Sequence, residues 1–178
     1  MTSKVRPPSQ PPAASPTARS TLSQPTAASW SRAAAVNASW ISTVEQPIPA
    51  DDLEGLAALS DGPLPIAADE SCVTAADVPQ AAGAVDVVVV KLMKCGGIRP
   101  ALRQILAAKA HGLEVMIGCM TESAASIAGG CHLAPLAEYV DLDGSLLLAE
   151  DPYKGVPMPD GRIDLGAVAA GTGVAPAE

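Results

Sequence analysis

Short apolar runs alternate with segments of helical spacing along the chain from residue 41 onward. The unbroken β-branched run from Val87 to Val90 is typical of a strand buried on both faces of a parallel sheet. Apolar runs predict five strands, at Ile41–Glu45, Pro65–Asp69, Val85–Leu92, Glu114–Gly118 and Tyr139–Asp143. Helices are predicted between them, over 51–59, 75–82, 98–110 and 122–134. The third helix is expected to bury one face, which holds Ile98, Leu102, Ile105 and Leu106.

The carboxyl ends of these predicted strands recur at a nearly constant interval. Successive ends lie 24, 22, 28 and 22 residues apart, at Glu45, Asp69, Lys91, Cys119 and Asp141. Each interval fits one strand-helix unit, and consecutive units with right-handed crossovers build a parallel sheet. Polar residues at successive carboxyl ends are typical of α/β barrels, whereas a doubly wound sheet usually has a Gly-rich turn after its first strand. We therefore predict an α/β fold, an incomplete (β/α) barrel of five parallel strands with helices.

The first segment of the chain has a different composition. Residues 1–44 contain four basic residues, no acidic residue and six prolines. No hydrophobic period runs through them, so they cannot bury enough apolar surface to offset the entropy lost on ordering. We expect residues 1–43 to be disordered and residues 44–178 to form the barrel domain. The acid-free, Ser-rich composition also fits an organelle transit peptide, although its prolines oppose an amphipathic helix.

Charge and composition narrow the classes of partner. The chain has 19 acidic and 11 basic residues, and aromatic residues make up 2% of it. Nucleic-acid partners are therefore not expected, because they need a basic face or aromatic stacking platforms. No apolar run approaches the ~18–20 residues of a membrane span, so no membrane partner is expected either. The four cysteines lack metal-ligand spacing and are expected to be free thiols in a reducing compartment, which favours the cytoplasm.

Polar residues at the first three strand ends indicate a reaction class. Glu45 and Asp69 would lie at neighbouring strand ends, where two carboxylates can hold Mg²⁺. Each could instead cap a following helix or face solvent. Lys91 ends a wholly apolar strand, and both burial and a nearby cation would lower the pKa of its ammonium group enough for it to act as a base. Alternatively, Lys91 has no functional role, and its side chain extends along the surface to place its ammonium group in solvent.

Five segments at the predicted strand ends form recognisable motifs. They are Val44-Glu45-Gln46-Pro47, Ala68-Asp69-Glu70-Ser71, Lys91-Leu92-Met93-Lys94-Cys95-Gly96-Gly97, Gly118-Cys119-Met120-Thr121-Glu122-Ser123 and Asp141-Leu142-Asp143-Gly144. In this order they resemble consecutive motifs of the muconate-lactonising subgroup of the enolase superfamily, and the later ones resemble its dipeptide epimerases. The resemblance covers about residues 44–175.

The resemblance implies a racemase or epimerase that acts on dipeptides by Mg²⁺-assisted removal of the proton α to a carboxylate. It implies that Glu45 and Asp69 are two of three Mg²⁺ ligands and that Lys91 is one of two opposed lysine acid/bases. The remaining implied roles are pocket lining by Cys119, binding of the substrate α-ammonium group by Asp141 and Asp143, and orientation of neighbouring ligands by Glu70.

The sequence also departs from the family pattern. The capping domain, the first three barrel strands, the Lys-x-Lys motif and the first Mg²⁺ aspartate have no counterpart in it. We hypothesise that residues 1–43 are a mis-framed reading of a longer gene, and we expect negligible epimerisation by this chain alone. Unpaired edge strands would favour a homo-oligomer. Two alternatives stay open: another enzyme of the subgroup (a cycloisomerase, an o-succinylbenzoate synthase or an N-acylamino acid racemase), or a non-catalytic remnant.

Overall fold

The fold is built on one parallel sheet. A computed structural model of the chain describes residues 42–177, so nearly all of the predicted disordered or mis-framed segment 1–43 lies outside the described residues. The five strands lie side by side in chain order, and all four neighbouring pairs are parallel. They are β1 (Val44–Glu45), β2 (Ile66–Ala68), β3 (Val87–Lys91), β4 (Glu114–Gly118) and β5 (Tyr139–Val140).

Helices connect the successive strands. They are α1 (Leu53–Ser60), α2 (Val78–Ala81), α3 (Leu92–Cys95), α4 (Ile98–Ala110) and α5 (Ala124–Leu133). Helix α2 is shorter than predicted, because Asp77 accepts a hydrogen bond from the Thr74 backbone N–H at 2.8 Å and holds the preceding residues in a turn. The short helix α3 was not predicted, since Leu92 had been assigned to the preceding strand.

Alternate residues of the sheet face two different layers. Val88 and Val90 belong to the main core, which also contains helix residues such as Ile105 and Ile127. Val87 and Val89 point the other way and pack in a smaller cluster of sheet residues. Helices on one face of a chain-ordered parallel sheet are the arrangement of a (β/α) barrel, not of a doubly wound sheet. The predicted incomplete barrel of five parallel strands is therefore confirmed.

The buried face of α4 differs from the prediction. Ile105 is buried as expected, but Ile98, Leu102 and Leu106 are 47%, 39% and 59% exposed. The face that meets the sheet is made instead of Ala101, Gln104, Ile105 and Ala108. Small alanines let the helix approach the sheet closely, so the larger apolar side chains lie on its flank.

The carboxyl-terminal segment packs against α5. Its strands β6 (Tyr153–Lys154) and β7 (Ala175–Pro176) are antiparallel, and short 3₁₀ helices cover Ala134–Leu136, Gly144–Leu147, Pro159–Gly161 and Leu165–Ala167. Asp151 accepts a hydrogen bond from the Ala124 backbone N–H at 2.6 Å, which satisfies a free donor at the start of α5. No helix among residues 42–177 combines the length and the apolar character needed to cross a membrane.

Candidate active site at the carboxyl edge of the sheet

Three of the predicted site residues meet at the carboxyl edge of the sheet. Glu45 ends β1, Asp69 follows β2 and Lys91 ends β3. The Nζ atom of Lys91 donates hydrogen bonds to Glu45 Oε1 at 2.9 Å and to Asp69 Oδ2 at 2.8 Å. The structure thus brings together the two predicted metal ligands and the predicted base, because parallel strands in register place their ends at one edge.

The two acids oppose the lowered pKa that is expected for the ammonium group of Lys91. Its side chain is 12% exposed, and this burial acts to lower the pKa of its ammonium group. The hydrogen bonds and negative charges of Asp69 and Glu45 outweigh burial and raise that pKa above its ordinary value. The predicted lowering of the pKa is therefore not what these residues produce by themselves. Lys91 is held here as an ammonium ion.

Asp69 is the most enclosed member of the group. Burial acts to raise the pKa of its carboxyl group, but hydrogen bonds and positive charge from Lys91 and Lys94 outweigh it and lower the pKa below the ordinary value. Asp69 is therefore a carboxylate, as a metal ligand must be. Glu45 is the more open acid, with 30% of its side chain exposed.

No role was assigned to Lys94 from the sequence. Its ammonium group is buried and contacts Asp69 Oδ1. It also donates to the backbone carbonyls of Asp69 at 2.7 Å and Val89 at 3.3 Å. The signal was the position of Lys94 three residues after Lys91, which a turn of helix returns to the same edge.

A second missed residue is Gly118, the last residue of β4. It lies beside Lys91 in the sheet register. A Cβ atom there would meet Lys91 Cε at 2.9 Å and Val89 Cγ1 at 3.0 Å. The absent side chain therefore leaves room beside β4 for the aliphatic part of Lys91, whose ammonium group reaches the two acids at the ends of β1 and β2.

Cys119, Asp141 and Asp143 form a second group at the same edge, after β4 and β5. The two aspartates are exposed and border a cavity of about 400 Å³ whose other walls include Leu146, Met158 and Ile163. Gly144 packs closely here, since a Cβ atom would lie 2.0 Å from Met120 O and 3.0 Å from Cys119 Sγ. Burial raises the pKa of the half-buried Cys119 thiol, and the charges of Asp141 and Asp143 add to this effect, so the group stays protonated.

Glu70 is exposed, and its side chain forms no hydrogen bond or ion pair within residues 42–177. The expectation that it orients neighbouring ligands therefore stays a prediction.

The chemistry of the acids suits a magnesium ion. Glu45 and Asp69 place one oxygen each within 2.9 Å of a single cationic atom, Lys91 Nζ, so their geometry already serves one shared positive charge. Mg²⁺ is often bound by one or two carboxylates and completes its shell with water or substrate oxygens. The described residues contain no cluster of three or more His, Cys, Asp or Glu side chains able to hold a metal. Glu45 and Asp69 can therefore supply two of the oxygen ligands of such an ion.

Comparison with known proteins agrees with this geometry. The sequence profile of the enolase C-terminal domain-like family matches residues 18–178. The chain belongs to this family. The match begins inside the segment 1–43, for which disorder or mis-framing remains a prediction.

Two relatives in sequence are named epimerases. The chain is 46% identical over 132 residues to the L-Ala-D/L-amino acid epimerase of Flavobacterium johnsoniae, a match that covers 74% of this chain and 39% of that protein. It is 41% identical over 123 residues to the L-Ala-D/L-Glu epimerase of Bacteroides thetaiotaomicron, with 68% and 32% covered.

A solved structure extends the likeness to the fold. The dipeptide epimerase of Enterococcus faecalis, in complex with Mg and L-Leu-L-Tyr, is 38% identical with a TM-score of 0.73, and the match covers 84% of this chain and 45% of that one. The chain covers less than half the length of each of these three proteins.

Proposed function

We propose that this chain supplies the carboxyl-terminal part of the active site of a Mg²⁺-dependent dipeptide epimerase. The observation that carries the proposal is the meeting of Glu45, Asp69 and Lys91 at one strand edge. The named epimerase relatives support the reaction class, and the magnesium-dipeptide complex from Enterococcus faecalis supports the cofactor and the substrate class.

Glu45 and Asp69 would hold the magnesium ion. When bound, it supplies positive charge to the substrate carboxylate and so stabilises the negative charge that builds there as the α-proton leaves. Asp69 is suited to this role because the two lysines keep it ionised.

Lys91 would move the proton. Its Nζ atom can accept the α-proton only as a neutral amine, whereas here two carboxylates hold it as an ammonium. In the working site, the charges of Glu45 and Asp69 must therefore be taken up by another cation before Lys91 can serve as a base. As an ammonium, Lys91 can return a proton to the same face of the substrate.

Asp141 and Asp143 would bind the α-ammonium group of the dipeptide. They are exposed, carry no lysine or arginine partner among residues 42–177, and border the cavity at the end of β5. Cys119, at the end of β4, would contribute a neutral thiol to the substrate pocket. All four cysteines are free, which supports a reducing compartment such as the cytoplasm.

Metal binding is the first test of the proposal. Titration of the chain with Mn²⁺, followed by the loss of the free-ion EPR signal, should give saturable binding that Mg²⁺ reverses. Glu45→Gln and Asp69→Asn should each weaken it by at least about tenfold. Glu54→Gln, at an exposed position on α1, is the matched control and should leave it unchanged. Equal Mn²⁺ binding by all four proteins would contradict the assigned ligands.

Proton chemistry is the second test. The chain is incubated with L-Ala-L-Glu and, separately, L-Ala-D-Glu with Mg²⁺ in deuterium oxide. A single lysine acts on one face, so we expect at most deuterium uptake by one of the two epimers, with negligible inversion. Lys91→Ala should abolish it, while Lys109→Ala, in an exposed ion pair with Glu138, should not. Inversion at an enzyme-like rate would show that this chain holds a complete site.

Substrate class is tested at the second group. The double variant with Asp141→Asn and Asp143→Asn should bind dipeptides more weakly than the wild type does. Its binding of N-acylated amino acids, which lack the ammonium group, should be unchanged. An equal effect on both substrate classes would favour the alternative enzymes of the subgroup.

A further inference from the structure

We propose that Gln46 is a positioning residue, which fixes the backbone of Asp69 against the end of β1 so that Glu45 and Asp69 face one shared cation. The inference rests on the proposed function, since it concerns how the two carboxylates are held. Gln46 itself touches neither carboxylate group. It acts through the main chain of the segment that carries Asp69.

The side-chain amide of Gln46 is fully used. Its Oε1 atom accepts hydrogen bonds from the backbone N–H groups of Asp69 at 3.0 Å and Ser71 at 3.1 Å. Its Nε2 atom donates to Ser71 Oγ at 2.8 Å and to Ile48 O at 3.0 Å. The two hydrogen bonds that the amide donates and the two that it accepts use its full hydrogen-bonding capacity, and they determine which amide atom is the oxygen and which the nitrogen. One side chain thus ties together the loops that follow β1 and β2.

The backbone of Gln46 is also unusual. Its φ angle is 38°, in the left-handed region that side-chain-bearing residues rarely adopt. Its N–H donates to Ala67 O at 2.8 Å, so the ladder between β1 and β2 continues to this residue before the chain turns away. Strain of this kind persists only where surrounding bonds impose it, and the four amide bonds supply them.

Gln46 and Lys94 hold Asp69 from opposite sides. Gln46 binds the backbone N–H of Asp69, and Lys94 binds its carbonyl oxygen at 2.7 Å and its Oδ1 atom. Oδ2 is the oxygen left to face Lys91 and Glu45. Loss of the Gln46 bonds would free the main chain at Asp69 and let its carboxylate turn away from Glu45.

The test compares the full-length chain with Gln46→Ala, Gln46→Gly and Gln80→Ala. Both Gln46 variants lose the amide, but glycine suits the positive φ angle and alanine does not. Gln80 is an exposed glutamine on α2 and provides the matched control. Mn²⁺ affinity is measured by EPR, backbone amide exchange at Asp69 and Ser71 by NMR, and unfolding by urea.

We expect both Gln46 variants to bind Mn²⁺ about tenfold more weakly, with amide exchange at Asp69 and Ser71 about fivefold faster or more. Gln46→Gly should unfold at higher urea than Gln46→Ala yet bind Mn²⁺ no better, which a purely structural role would not produce. Mn²⁺ affinity that follows urea stability, or that stays at the wild-type value, overturns the proposal.

If the unaltered chain binds no Mn²⁺, the proposed function fails, and the exchange measurement then decides on Gln46. Unchanged exchange at Asp69 and Ser71 would overturn its positioning role, and faster exchange would support its hold on Asp69.

Discussion

Replacement of Gly118 by alanine tests whether the space above β4 is reserved for Lys91. The new Cβ atom would lie 2.9 Å from Lys91 Cε and 3.0 Å from Val89 Cγ1, inside the 3.4 Å at which ordinary contact begins. Val89 is β-branched and fully buried, so it cannot move easily. The lysine chain must therefore give way.

The size of the effect follows from what Lys91 would lose. Its Nζ atom lies at 2.9 and 2.8 Å from its two partners, and a displacement of the chain by a few tenths of an ångström lengthens both bonds. Overpacking of a filled core typically costs about 1–3 kcal/mol, and we expect Gly118→Ala to lower the free energy of unfolding by about 2 kcal/mol.

Urea unfolding of wild type, Gly118→Ala and Gly83→Ala measures this cost. Gly83 is the matched control, because a Cβ atom there would meet nothing within 4 Å. A double-mutant cycle with Lys91→Ala then isolates the lysine. If the clash is with Lys91, Gly118→Ala should lower the free energy of unfolding by at least about 0.5 kcal/mol less in the Lys91→Ala background than in the wild type.

Two results would refute the reasoning. Gly118→Ala could unfold with the same free energy as Gly83→Ala, which would show that the site has spare room. Alternatively, the changes in the free energy of unfolding caused by Gly118→Ala and Lys91→Ala could be additive. The clash would then be with Val89 or the backbone and not with Lys91.

Three further predictions follow from burial and charge. Asp69→Asn should lower the free energy of unfolding by about 3 kcal/mol, because it leaves two buried lysines short of a partner. The lowered pKa of the Asp69 carboxyl group gives stability that is full above the ordinary value of 3.8 and is lost as pH falls through the lower folded value. The substitution should therefore weaken the loss of urea stability at acid pH, and an unchanged loss would contradict this. Iodoacetamide should label Cys119 before the three buried cysteines of the native protein, but slowly, because the pKa of the Cys119 thiol is raised. Mass spectrometry identifies the labelled residue, and earlier labelling of a buried cysteine would contradict the described packing. Ile105→Ala should cost about 2–5 kcal/mol in urea unfolding, whereas Leu106→Gln on the exposed flank should stay within ~0.5 kcal/mol; equal costs would restore the original assignment of the buried face of α4.

Sequence spacing sufficed to place the strand ends. The β-branched run before Lys91 and the regular intervals between Glu45, Asp69 and Lys91 depend only on chain-local patterns, and parallel register then brings their ends to one edge. The fold class could be predicted for the same reason.

Residues that act through tertiary contacts could not be found in this way. Gln46 matters because of a positive φ angle, which has no periodic signal. Lys94 matters because of a one-turn helix, and its spacing of three residues from Lys91 becomes informative only once that helix is known. Burial of Lys91 could be inferred from its neighbours in the chain, but its direct hydrogen bonds to Glu45 and Asp69, which raise the pKa of its ammonium group, could not. The buried face of α4 was misplaced because its alanines gave a weaker hydrophobic signal than its flank.

The order of strands along the sheet has a consequence for how such a protein can change over generations. The residues assigned to proton and cation chemistry lie at the ends of β1, β2 and β3, whereas Cys119 follows β4 and the aspartates assigned to the substrate's ammonium group follow β5. Under these roles, substitutions after the last two strands can redirect the choice of dipeptide while the neighbouring machinery is inherited intact.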